Sequence, residues 1–127
     1  MNAFDHRLWV MIFKDQAKET LENINKFTKA AAENETELSA ALSTKDNTEK
    51  TFIQSVIEFI KTLKTETGTN KALEAVVLTL KECQTATTVA DALREKCIAI
   101  NKELNEAYEK HDIAVKSLRN LEECRPS

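Results

Sequence analysis

Three side chains able to bind a metal or attack a carbonyl recur at one interval: Cys83, Cys97 and His111 stand fourteen residues apart. Fourteen residues is close to four helical turns, so the three share one face of any helix that carries them. The same spacing separates them by about 21 Å per step, whereas zinc ligands lie about 2.3 Å from one ion. Nucleophilic attack by Cys97 with His111 as base fails likewise, because such a pair must approach to about 3 Å. No Cys-x-x-Cys, His-Glu-x-x-His or Glu-x-x-His spacing offers a substitute site. These cysteines therefore read as small buried hydrophobes and His111 as a residue at the rim of a core.

Glu33, Glu35 and Glu37 could supply acid–base chemistry, but they alternate along a stretch of Thr and Ala and read as a solvated helical surface. A single glycine leaves no phosphate-cradling or dinucleotide-binding loop. The expectation is a non-enzymatic protein with no catalytic residue, no metal site and no cofactor.

The remaining chemistry is that of contact surfaces. Phe4, Leu8, Trp9, Met11 and Phe13 crowd the first turns, and Trp, Phe and Met are types enriched at interface centres. They are the candidate partner-binding residues, with ordinary core under the end of a bundle as the competing reading. Insertion of this stretch into a membrane surface is the other use. Asp5, Arg7 and Lys14 give it only a small positive excess, so electrostatic attachment to anionic lipid is expected to be weak.

The elements that must position these residues are helices. The 127 residues include one glycine and one proline, against about nine and about six at average usage, so the vocabulary for hairpins and sandwiches is missing. From Ala17 to Leu63, steps of four and three alternate through Leu21, Ile24, Thr28, Ala31, Glu35, Leu38, Leu42, Lys45, Glu49, Phe52, Val56 and Phe59. A second stripe runs from Leu73 through Val76, Leu80, Cys83, Thr87, Ala90, Arg94, Cys97, Asn101, Leu104, Tyr108, His111 and Val115 to Leu118. Leu93, Ile100, Ala107, Ala114 and Leu121 flank it at sevenfold spacing and widen the apolar face. Arg94 and Tyr108 fall on this seam and are expected to form a polar layer that sets register, with a partner contact as the alternative.

Thr65-Glu66-Thr67-Gly68-Thr69-Asn70 is the one clear turn, with Gly68 suited to the left-handed conformation and Thr69 or Asn70 to capping. A single helical domain over residues 1–127 results, with a first segment over 1–66 and a second helix over 70–123, ended by Pro126. A break near 43–49 is an alternative, because Ser43, Thr44, Asp46 and Asn47 compete for backbone hydrogen bonds and Asp46 with Glu49 fits a capping box. The fold expectation is all-α: a long antiparallel helical hairpin, bent at Gly68, assembling as a coiled coil or four-helix bundle. A compact monomeric three- or four-helix bundle is the alternative.

Folding back at Gly68 sets residue i beside residue 136 − i, which pairs the most apolar stretch of each helix and leaves residues 1–11 as an unpaired overhang. Two helices cannot cover so wide an apolar arc, so a homodimer is expected, with further protein partners on the exposed faces.

Charge and cysteine usage bound the setting. Eighteen Lys and Arg against 21 Asp and Glu give a net charge of −3 with no basic block, so nucleic-acid binding is not expected. An odd set of three cysteines fits a reducing, intracellular and cytoplasmic setting. The Asn34-Glu35-Thr36 sequon points weakly the other way and has meaning only in a secreted chain. The apolar run Leu8 to Phe13 is six residues, short of both the about 20 of a bilayer span and the roughly 7–15 of a signal-peptide core. Function is thus expected to be that of a helical interaction or scaffold protein, with a membrane-surface helical module as the alternative.

Overall fold

A computed structural model describes residues 2–124; Pro126, expected to end the second helix, lies outside them. The described residues form two long helices that pack against each other, α1 (Ala3–Thr65) and α2 (Thr69–Glu123), and include no strand. The three or four helices of the compact bundle are not what this chain forms.

Local chemistry explains each helix end. Asn2 caps α1: its Oδ1 accepts the Asp5 N–H at 2.8 Å and its carbonyl accepts the His6 N–H at 3.0 Å. The C-terminus of α1 is closed by Glu66, whose φ of 57° is left-handed. Gly68 is also left-handed, at φ 70°, but its position is the cap of the next helix: its carbonyl accepts the Ala72 N–H at 3.1 Å. Thr69 and Asn70, expected as caps, therefore lie inside α2.

The stretch 43–49, a candidate break, is helical throughout. Its competing hydroxyls are absorbed by the helix itself. Thr44 donates to the Ala40 carbonyl at 3.1 Å, Thr48 to Lys45 at 2.9 Å and Thr51 to Asn47 at 2.9 Å, so none diverts a backbone partner. The Asp46 and Glu49 capping box does not form, because there is no helix start for it to cap.

The chain comprises two compact units, Met1–Glu33 with Ile98–Ser127, and Asn34–Cys97. In the second unit, Ser55 and Thr79 share a hydroxyl–hydroxyl bond of 2.7 Å across the two helices, where the 136 − i register would set Ser55 beside residue 81. The covered positions follow unbroken heptad phase, but not the phase of the large apolar residues. On α1 they include Asn34, Leu38, Ala41, Lys45, Thr48, Phe52, Ser55, Phe59 and Thr62, with Leu42, Glu49 and Val56 half-buried along the edge. On α2 they include Ala72, Val76, Thr79, Cys83, Ala86, Ala90 and Leu93. One heptad column of each expected stripe is thus displaced by a residue at its ends, where Asn34 replaces Glu35, Thr62 replaces Leu63, and Ala72 and Thr79 replace Leu73 and Leu80, while Leu42, Glu49, Val56 and Thr87 stay half-buried as expected.

Small residues explain this choice. Ala86 and fully buried Ala90 allow close backbone approach, so helices pack more tightly on the small column than on a row of leucines. Lys45 tolerates a seam position because its aliphatic stem can lie along the partner while the ammonium reaches water.

The first unit obeys the same rule. Its covered positions include Thr20, Ile24, Phe27, Ile100, Ala107 and Ala114, with Leu21 and Tyr108 outside. Ile100, Ala107 and Ala114, read from the sequence as flanking residues, belong to the seam itself. Tyr108, at 51% exposure, lies off it, and so does exposed Arg94 in the other unit; neither forms a buried polar layer. The unpaired overhang is corrected as well. His6 is buried and its Nε2 donates to the Leu121 carbonyl at 2.6 Å, although the 136 − i register would send it past the end of the chain.

Candidate interaction surfaces

The seam covers only part of the apolar content of either helix, and what it leaves outside falls on definable faces. In the first unit, Phe4, Leu8 and Met11 follow i, i+4, i+7 spacing and so share one face of α1. They are exposed, Phe4 by 66% and Met11 by 57%. His6 and Phe13, one seven-residue step apart, point the other way, toward the seam.

Trp9 stands between these two directions, partly exposed and stacked on half-buried Phe13 with centroids 5.7 Å apart and planes at 24°. The five candidate residues of the first turns are therefore not one cluster. Phe4, Leu8 and Met11 form an outward stripe, Phe13 is part of the seam's edge, and Trp9 caps Phe13 with its ring. The net charge around this stripe is zero: Asp5 and Asp15 offset Arg7 and Lys14.

The second unit holds a larger apolar face, which lies beside the seam. On α1, Ile53, Ile57, Ile60 and Leu63 are exposed; on α2, Leu73, Val77 and Leu80 are exposed. In an antiparallel pair, heptad columns that follow the seam on one helix meet the equivalent columns of the other on the same side. Leu63, Leu73 and Leu80 occupy those columns, with Ile53, Ile60 and Val77 in the next. Ile57, one column further from the seam, adjoins Ile53 and Ile60 at i+4 and i+3 spacing, so the seven side chains make one continuous face built by both helices. The opposite side of α1 in this unit carries Thr44, Asn47, Thr51, Gln54, Glu58 and Lys61, and is polar. There, the small residues Ala41, Thr44, Thr48, Thr85 and Ala86 leave a shallow groove of about 410 Å³, edged by Lys81, Glu82 and Val89.

Polar groups on the seam do structural rather than chemical work. His111 Nδ1 lies 3.1 Å from the Ala17 carbonyl and 2.9 Å from Thr20 Oγ1. The carbonyl can only accept, so Nδ1 carries the proton, and the Thr20 hydroxyl is left to donate to the Gln16 carbonyl at 2.8 Å. His111 thus has a fixed orientation and no cysteine neighbour in this network.

Among the described residues, no group of three His, Cys, Asp or Glu side chains is placed to hold a metal ion. Asn34 is 1% exposed, which closes its sequon to glycan transfer in the folded chain. No helix of the described residues is long and apolar enough to cross a membrane.

Sequence reasoning found the N-terminal stripe from residue types, but it missed the face of the second unit. Leu63, Leu73 and Leu80 fit the expected seam, and the signal that separates them from it is the parallel column of small residues one position away; Ile53, Ile57, Ile60 and Val77 lie off that seam and widen the apolar arc. No family model, no curated protein and no solved structure matches this chain.

Proposed function

We infer that this protein is a non-enzymatic helical interaction or scaffold protein, which associates with other proteins, a second copy of itself first among them, through the outer faces of its helices. The observation that carries this reading is the inversion of apolar content. Ile53, Ile57, Ile60, Leu63, Leu73, Val77 and Leu80 are exposed, while Asn34, Thr48, Ser55, Thr62, Thr79 and Ala86 take the covered seam. A helical pair that leaves seven large aliphatics of one unit in water gains by covering them, and contiguous exposed apolar surface of this size marks association sites. The odd cysteine count supports a reducing intracellular setting such as the cytoplasm.

Sedimentation equilibrium of the full chain between about 1 and 100 μM, a range in which a specific interface of standard size associates, tests the reading. A mass rising to that of a dimer or higher oligomer is expected; a single monomer mass throughout would overturn it.

The membrane-surface alternative draws on the exposed Phe4, Leu8 and Met11 stripe. Its flanking charges cancel, which leaves only apolar insertion to hold the helix on lipid. Flotation with anionic vesicles, abolished by Phe4→Ser with Leu8→Ser and Met11→Ser, would favour that alternative; no flotation is the expected result.

A further inference from the structure

We propose that the face built by α1 and α2 beside the seam of the second unit is an isologous dimer interface, occupied by the same face of a second copy of this chain. The proposal rests on the reading above and names its first partner and its surface.

Three observations select a second copy as the occupant. The first is area: at their exposures, the seven aliphatics present roughly 600 Å² per copy, or about 1,200 Å² across a pair, which reaches the range of specific interfaces. The second is charge. The residues framing the face are Asp46, Glu49 and Glu74 with Lys50, Lys64 and Lys81, three of each sign. A rim of one sign would select a partner of the opposite sign; a balanced rim is compatible with itself.

The third is period. The face repeats in the same heptad phase as the seam beside it, so an identical pair of helices matches its ridges along the whole patch, and two pairs joined in this way make a four-helix bundle. The α1 half of the opposite side is polar, with Thr44, Asn47, Thr51 and Gln54, and its α2 half exposes only Leu78 and Val89 as large aliphatics, so the seven-residue face is the larger apolar surface of the unit.

The test uses the full chain and two variants on different helices, each at exposed positions that the seam does not use: Ile53→Glu with Ile60→Glu, and Leu73→Glu with Val77→Glu. A control, Ile98→Glu with Ile113→Glu, removes exposed aliphatics of the other unit. Sedimentation equilibrium is read alongside circular dichroism, which confirms that each variant keeps its helix content. The expected result is a dimer for the parent and the control, and association weakened tenfold or more, in favour of monomer, for both face variants at unchanged helicity.

If the parent associates and both helical face variants associate equally well, this assignment is overturned while the broader reading stands. A parent that is monomeric throughout overturns both. Should a face variant lose helicity, Ile57→Gln, a single exposed change, takes its place and is expected to weaken the dimer in the same direction.

Discussion

Asn34 of α1 donates from Nδ2 to the Leu93 carbonyl of α2 at 3.3 Å, while its Oδ1, also buried, has no hydrogen-bond partner. An amide so placed contributes one weak bond and leaves one acceptor desolvated, which costs about 1–3 kcal/mol. A single buried Asn in a heptad seam is best understood as a register device, since any slip would bury the whole amide without a partner.

Replacing it should therefore stabilise the protein. Asn34→Leu is expected to raise unfolding free energy by about 1–2 kcal/mol, by removing the orphaned acceptor and adding apolar contact. Urea denaturation measures this. A loss of stability would show that the Leu93 bond outweighs the unsatisfied oxygen.

The displaced seam makes a paired prediction at adjacent positions. Leu21 is exposed and Thr20 is buried. Leu21→Gln should change stability by no more than about 0.5 kcal/mol, whereas Thr20→Gln, which forces a long side chain into the seam, should cost about 1–3 kcal/mol. The reverse order in thermal melts would restore the seam expected from the large apolar residues.

Close approach through small residues has its own signature. Ala90 is 0% exposed, so Ala90→Leu has no room to enter and is expected to destabilise by about 1–3 kcal/mol despite its greater hydrophobicity. Stabilisation instead would mean that the helices can separate to accept a larger core.

The bond between His111 and the Ala17 carbonyl, shared with Thr20, joins the helices of the first unit. His111→Ala is expected to cost about 1–2 kcal/mol, and Thr20→Val less. Because the two groups share one network, the double variant should cost less than the two single costs combined. Simple additivity in a double-mutant cycle would show the contact to be incidental.

At the bend, a Cβ on Gly68 would meet nothing within 4 Å, so the penalty of Gly68→Ala is conformational alone, about 1 kcal/mol at its positive φ. Glu66, a non-glycine residue at φ 57°, offers the converse: Glu66→Gly should gain about 0.5–1 kcal/mol. Equal effects of the two changes on the thermal midpoint would contradict these assignments.

The N-terminal stripe was legible because Phe4, Leu8 and Met11 need only helical periodicity to share a face, and α1 begins at Ala3 under an Asn2 cap. The larger face was legible only as an apolar arc too wide for two helices. Leu63, Leu73 and Leu80 satisfy a seam pattern as well as an exposed one, and periodicity records which residues share a face without recording what that face meets. The same ambiguity placed Tyr108 and Arg94 on the seam. The stretch 43–49 was undecidable locally, because a Thr hydroxyl bonds equally well to a carbonyl one turn back within a helix or to a freed N–H at a break.

What the amino-acid order determined by itself was helix, phase and bend: one glycine, one proline and unbroken steps of three and four admit little else. Only the packed structure decided which of two neighbouring columns lies inside. That choice depends on how closely two backbones can approach, a property of both helices together. The column of Asn34, Ala41, Thr48, Ser55 and Thr62 permits close approach, which leaves Leu42, Glu49 and Val56 half-buried at its edge and Leu63 outside.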